Sequence, residues 1–467
     1  MRIAKVNKNT FRFTNQSCST YKLFALFVFL LITSTADAQK SHVNNILSVD
    51  DYVFLEKLTR DVLDSARILP KQFISADVGA NNTGGTLIRP GGRNSYPSFW
   101  IRDYAMTLEC GFISAEEQKH MLFLTAATQS DQTWITKHGS MVPFGAIADH
   151  IRIDNGKPIY FPGTYDYDQQ GDRIFGMFPP YCDQFYFVHM AIQFLKTMNQ
   201  PAVFDSVING MRLIDRIEIA FKVPPTRNGK QVVYTTENLR GVDYGFRDVI
   251  EFTGDILMSS ILKYKAALEL AEIFDKIGRP AKASLYLSVA RELKKEIPEI
   301  FSNGKGMLLA STGKSNQPDV WSTALAVYYG ILEGEELKKT CMILRDAYHN
   351  GSLSKNGNIR HVLTTDDYDT NTVWEKSLAR KNTYQNGAYW GTPLGWVCYA
   401  ISQVDMTVAK ELAKEYIDDL RKEDFRKGSA FGAPWECYND DKPQNPVYLT
   451  TVASPYIVFK KQWVHFK

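Results

Sequence analysis

The stretch "GDILMSSILKYKAALELAEIFDKIGRPAKASLYLSVARELKKEI", Gly254 to Ile297, decides the fold. Leu257, Ile261, Tyr264, Leu268 and Ala271 recur at steps of four and three, the spacing that lines one face of an α-helix. Gly278 stands where a helix end needs a residue free to turn left-handed. Pro280 stands in what would be the first turn of a second helix, where a missing N–H costs nothing. That helix carries Leu285, Val289, Leu293 and Ile297 along one face. Two helices joined so tightly form an antiparallel hairpin.

Helical periodicity recurs around 49–67, 102–127, 181–197, 202–220, 318–331, 334–347, 387–402 and 406–421. Between these spans lie long loops rich in Gly, Pro, Asp, Tyr and Trp: 75–100, 129–180, 222–253, 348–386 and 422–449. Loops of that length are functional or disordered, and these are too aromatic for disorder. Strand-like alternation is confined to pieces such as "KQVVYTT". The expectation is an all-α fold: a toroid of helical hairpins whose long loops gather at one end and form a cleft there. No fixed repeat period supports a solenoid.

Positive charge spread over Arg2, Lys5, Lys8, Arg12 and Lys22 precedes the apolar run "LFALFVFLLI" at Leu23 to Ile32. Ala36-Asp37-Ala38 then has the small-x-small form of a signal-peptidase site. Residues 1–38 are expected to be a removed signal peptide, which implies a periplasmic or secreted protein with no membrane segment after cleavage. Residues 39–467 are expected to be a single domain. The chain is 44% apolar with a formal charge of only +3, and no basic block suggests nucleic acid. Beyond Cys18 the cysteines are Cys110, Cys182, Cys341, Cys398 and Cys437, too scattered for a zinc site. They are expected as small core residues, with room for one disulfide.

Several constellations fail on inspection. "DYDQQGD" (166–172) opens like a calcium loop, but its twelfth position is Met177, where a bidentate glutamate is required. "TTDDYDT" (364–370) has no specific spacing, and the sequon at Asn81 is uninformative alone. His120, His138, His150, His189 and His361 form no ligand pair at helical spacing, so no metal is expected. No organic cofactor is implied either.

Four loop motifs share one flavour, aromatic rings beside polar or acidic groups near a helix end. They are "FWIRDY" (99–104), "DYGFRDVIEFTGD" (243–255), "QNGAYWGTPLGW" (385–396) and "FGAPWECYND" (431–440). Sugars ask for this mixture, because their C–H faces stack on rings while their hydroxyls bond to Asp, Glu, Arg and amides. Arg102 beside Asp103 can hold two neighbouring hydroxyls. Asp243, Asp248, Glu251 and Asp255 are candidate acids in the second motif. Asp248 comes just after Phe246 and Arg247, where an aromatic neighbour can raise its pKa, and Asp255 reads first as a first-turn helix acid. Glu436 stands after Gly, Pro and Trp in an otherwise apolar segment, where an idle charge is costly.

Together these motifs resemble the six-hairpin, (α/α)6-barrel glycoside hydrolases, nearest the group of processing α-glucosidases, trehalases and debranching glucosidases. "FWIRDYA" resembles that group's Trp-x-Arg-Asp signature, whose Arg and Asp line the subsite of the released sugar. The segment 243–255 is similar to the one supplying the general acid, by position Asp248, although the tight "SGWD" form is absent and Glu251 or Asp255 could take the role. "GAYWGTPLGW" is similar to a Tyr-Trp-Arg-Gly-Pro sugar-binding motif without its arginine. "FGAPWECYN" stands where that group carries its general base, here Glu436. The resemblance implies an inverting, exo-acting hydrolase of an α-linked gluco-configured oligosaccharide. Trp100, Arg102, Asp103, Tyr389, Trp390 and Trp435 would bind the substrate, and Asp248 and Glu436 would do the chemistry. Uronide hydrolases, polysaccharide lyases and epimerases share the toroid, and a non-catalytic glycan-binding protein is the alternative of another class.

Overall fold

The computed structural model describes residues 45–93, 96–440 and 442–464. The expected signal peptide and its cleavage point lie outside them. Contacts gather Ile46–His465 into one compact unit.

Twelve α-helices occur among the described residues: α1 (Val49–Ala66), α2 (Ile101–Ala105), α3 (Ala115–Ala127), α4 (Tyr181–Met198), α5 (Leu213–Lys222), α6 (Leu257–Lys276), α7 (Pro280–Phe301), α8 (Val320–Tyr328), α9 (Gly334–His349), α10 (Leu394–Ser402), α11 (Met406–Lys422) and α12 (Leu449–Val464). The deciding hairpin is α6–α7. Gly278 turns left-handed at φ 73°, its N–H donates to the Asp275 carbonyl at 3.0 Å, and Pro280 opens α7.

The two helices bury their surfaces differently. α6 is buried almost all round, Lys263 and Glu269 included. α7 buries Ala283, Tyr286, Ala290, Leu293 and Ile297, and leaves Leu285 50% exposed. The stripe read from the sequence ran in strict steps of four. With 3.6 residues per turn such a row drifts by about 40° per step, so its first member leaves the core face.

Packing follows chain order. α2 packs on α4, α4 on α6, α6 on α8, α8 on α10 and α10 on α12, while α12 packs on the Leu108–Cys110 turn that follows α2. The odd-numbered helices flank this series: α3 and α5 lie against α4, α7 against α6, α9 and α11 against α10, and α1 against α12.

Several expected helices are shorter than their periodicity suggested. The span 102–127 is broken at Gly111, which has φ 79°. It restarts with a capping box in which Ser114 and Glu117 satisfy each other's backbone N–H. The span 202–220 begins as a 3-10 turn and a small hairpin before α5, and 387–402 begins as a strand. Helix α12 has no counterpart among the expected spans.

The all-α expectation is corrected by small sheets that the loops contribute. Strands β1 (Ser98–Trp100), β2 (His150–Arg152) and β3 (Pro158–Ile159) form one antiparallel sheet. β4 (Ser354–Lys355), β5 (Asn358–Arg360), β6 (Tyr389–Trp390), β7 (Trp435–Asn439) and β8 (Lys442–Pro446) form another, in that order. From "KQVVYTT" only Tyr234–Thr235 is a strand, paired with Gly254–Asp255. The cysteines at 110, 182, 341, 398 and 437 are all buried and free, so the disulfide expectation falls.

Candidate active site

The β1–β2 register sets Trp100 across from His150, and their rings stack with centroids 4.4 Å apart. Helix α2 starts at the next residue with no side-chain cap, so Arg102 and Asp103 sit in its first turn, both buried. The Arg102 guanidinium lies 3.4 Å from an Asp149 carboxyl oxygen, 3.7 Å from one of Asp103 and 3.9 Å from one of Asp183. Burial weakens its hold on the proton, but the surrounding aspartates outweigh it and keep Arg102 well above its ordinary value. A glycine makes the space. A Cβ on Gly245 would stand 1.6 Å from the Arg102 guanidinium carbon.

Asp103 accepts a hydrogen bond from the Tyr448 hydroxyl at 2.7 Å, and burial pushes its pKa up although Arg102 opposes it. Asp149 goes the other way. Burial would raise it, but the hydrogen bond from His150 at 2.7 Å and the charge of Arg102 hold it below the usual carboxylate range. Asp183 projects from α4 with neither carboxyl oxygen hydrogen-bonded, and burial raises its pKa strongly.

Asp248 follows a 3-10 turn, Gly245–Arg247. The fully buried Arg247 pins that turn from below, donating to Asp243 at 2.7 Å and to Asp319. Asp319 in turn caps the start of α8. One oxygen of Asp248 is buried without a partner. Burial raises this acid to about 7, against the pull of Arg102 and a hydrogen bond with Gln385.

Glu436 lies on β7 and receives hydrogen bonds from the Asn445 amide on β8 and, at 3.0 Å, from the Tyr96 hydroxyl. Burial raises it to about 8. The two donors oppose that rise, and repulsion from Asp103 and Asp248 adds to it.

Trp100, Arg102, Asp103, Asp248 and Glu436 line one cavity of about 60 Å³, room for a few water molecules. Tyr165, 46% exposed, brings the lining out to solvent. Tyr96, Tyr384 and Tyr448 complete the wall. Of the four acids in the 243–255 segment only Asp248 reaches it. Asp243 lies in the buried Arg247 network, Glu251 pairs with Lys314 at 3.1 Å and Asp255 with Arg227 at 2.5 Å. Asp255 also lies in a strand rather than the first turn of α6.

Three expected sugar contacts lie outside this cavity. Trp390 is fully buried behind the wall, 5.5 Å from Phe246 and 5.8 Å from Trp321 between ring centroids. Tyr389 and Trp435 line a separate groove. For Trp435 the reason is the period of a strand: consecutive residues point to opposite faces, so Glu436 facing the cavity turns Trp435 away. Tyr96, Asp149, Asp183, Asn445 and Tyr448 were not anticipated. The one sequence signal among them is Asp183, a charge inside the apolar run "YCDQFYFVHM".

Among the described residues no group of three or more His, Cys, Asp or Glu is placed to hold a metal ion. None of their helices is long and apolar enough to cross a membrane.

No family model and no curated protein matches this chain. Solved structures do. A glycoside hydrolase family 15 glucoamylase from Hypocrea jecorina superposes with a TM-score of 0.56 at 12% identity, over 90% of this chain and 73% of that one. A family 78 rhamnosidase of Bacillus sp. GL1 gives 0.50 at 10% identity, over 86% of this chain and 34% of the rhamnosidase. The likeness is one of fold.

Proposed function

We propose that the protein is an exported glycoside hydrolase that inverts configuration and removes a terminal sugar from an α-linked gluco-configured oligosaccharide. The observation that carries this reading is the meeting of Asp248 and Glu436, from distant parts of the chain, in one cavity with Trp100, Arg102 and Asp103. The fold likeness to two glycoside hydrolases supports a carbohydrate substrate. The succession of even-numbered helices, with α12 returning to the turn after α2, supports a six-hairpin toroid as the architecture of the single domain proposed for residues 39–467.

Inverting hydrolysis needs one carboxyl group holding a proton and one able to take a proton from water. Burial raises Asp248 to about 7 and Glu436 to about 8, the latter helped by repulsion from Asp248, so both acids can hold or release a proton near neutral pH. The roles follow from hydrogen bonding. Glu436 faces two donors, Tyr96 and Asn445, which stabilise its anion as water is deprotonated. Asp248 keeps an oxygen with no donor, free to deliver a proton to the leaving oxygen. Arg102 and Asp103 hold sugar hydroxyls, and Trp100 offers a ring face.

A lyase reading meets a specific obstacle. It wants a tyrosine or histidine base beside an arginine, and burial raises the proton affinity of the tyrosines Tyr96, Tyr165, Tyr384 and Tyr448. A tyrosine that holds its proton so tightly is scarcely present as the phenolate a general base must be.

The test is turnover of α-linked glucosides and aryl glycosides by the purified protein, with NMR of the first anomer released. The β-anomer is expected. Retention of the α-anomer, or an unsaturated chromophoric product, overturns the proposal. Asp248→Asn and Glu436→Gln should each lower kcat by ~10²–10⁴-fold.

A further inference from the structure

We infer that Tyr389, Trp435 and Tyr438 form a second binding site, for a neutral polysaccharide chain, in a groove on the five-stranded sheet. The groove has a volume of about 430 Å³, within the range of ligand sites and far larger than the cavity around Asp248 and Glu436. A second depression of about 430 Å³ adjoins it and shares Lys355 and Tyr389. Two depressions that meet at Lys355 and Tyr389 give room for a chain rather than a single sugar.

The chemistry selects the occupant. Tyr389 and Tyr438 are cross-strand partners, and both rings, like that of Trp435, are half-buried. The cross-strand rings of Tyr389 and Tyr438, on one face of the sheet, offer stacking surfaces for C–H faces, and Trp435 lines the same groove. The Tyr438 hydroxyl donates to Asp419 at 2.8 Å, which holds the ring in place before any ligand arrives. Around the rings Lys355 and Lys422 stand against Asp419 and Glu423. Two cations and two carboxylates give no net charge to attract an anionic or cationic chain, yet supply donors and acceptors for hydroxyl groups.

The site stands apart from the cavity. Glu436 and Trp435 are neighbours on β7 facing different compartments, so binding in the groove needs no turnover at Glu436. It therefore goes beyond the proposed hydrolysis.

The experiment is affinity electrophoresis of the full chain in native gels containing a soluble α-glucan, a soluble β-glucan or an acidic uronan. Wild type, Glu436→Gln, Tyr389→Ala and Trp435→Ala are compared, with folding checked by circular dichroism. Retardation by a neutral glucan is expected, equal in Glu436→Gln, and weakened at least tenfold in whichever of the two groove variants folds. No retardation by either neutral glucan, retardation by the uronan alone, loss in Glu436→Gln, or full retention in a folded groove variant would overturn the inference. Retardation without any hydrolysis would sink the proposed activity and leave the groove standing.

Discussion

Gly245 is worth a wild-type comparison because its hydrogen is the only side chain the Arg102 guanidinium tolerates there. Gly245→Ala should displace Arg102 from Asp149 and Asp183 and lower kcat/KM at least tenfold, which steady-state kinetics will read. Glu436 makes a prediction of opposite sign. Its pKa is raised to about 8 by burial, so between pH ~4.5 and ~8 the folded chain holds a proton that the unfolded chain releases. The unfolded state binds fewer protons there, and stability falls as pH rises. Glu436→Gln removes that loss. The variant should melt at the wild-type temperature near pH 4.5 and above it at pH 8, where its stability exceeds that of wild type by up to about 4 kcal/mol, since each tenfold change in proton affinity is worth about 1.4 kcal/mol. Thermal scans at the two pH values check it. At this scale much of the cavity lining was legible: Trp100, Arg102, Asp103, Asp248 and Glu436 stood out as charges beside rings. Tyr96 and Tyr448 did not, because their partners Glu436 and Asp103 lie far away in the chain, nor did Asn445, which reaches Glu436 only through the β7–β8 pairing.

Helix α7 shows what periodicity can and cannot say. Its existence, its start at Pro280 and its partner α6 follow from local chemistry, whereas the buried face depends on which neighbours it meets. Leu293 is fully buried and Leu285 half exposed. Leu293→Ala should therefore cost ~2–5 kcal/mol, and Leu285→Lys less than ~0.5 kcal/mol, as urea unfolding will show. The split of 102–127 was readable in "SAEE", a capping box at Ser114, but the apolar residues on both sides hid it. Strands of two to five residues gave no signal of their own, because pairing such as Tyr389 with Tyr438 is fixed by distant chain rather than by local alternation. α12 escaped notice because Pro455 lies within it, and an interior proline argues against a helix.

Across the whole molecule, α12 is the last neighbour in the series of even-numbered helices and touches α1, α10 and the Leu108–Cys110 turn. It buries Val452, Ala453, Tyr456, Val458 and Phe459. Truncation before Leu449 should abolish cooperative unfolding rather than trim a terminus, with near-ultraviolet circular dichroism losing its tertiary signal. Asp103 would lose its hydrogen-bond donor Tyr448 only indirectly, because that residue precedes the cut. The helical class of the fold was open to sequence reading because amphipathic spacing repeats. How the loops assemble around Asp248 and Glu436 was not, since that depends on the packing of α2, α6 and α12.

Two acids that each resist losing a proton have a thermodynamic corollary. A guest bearing a fixed positive charge favours their anions and drives hydrogen ions into the medium as it docks. Its affinity climbs with alkalinity, and its calorimetric heat changes with the ionisation enthalpy of the buffer.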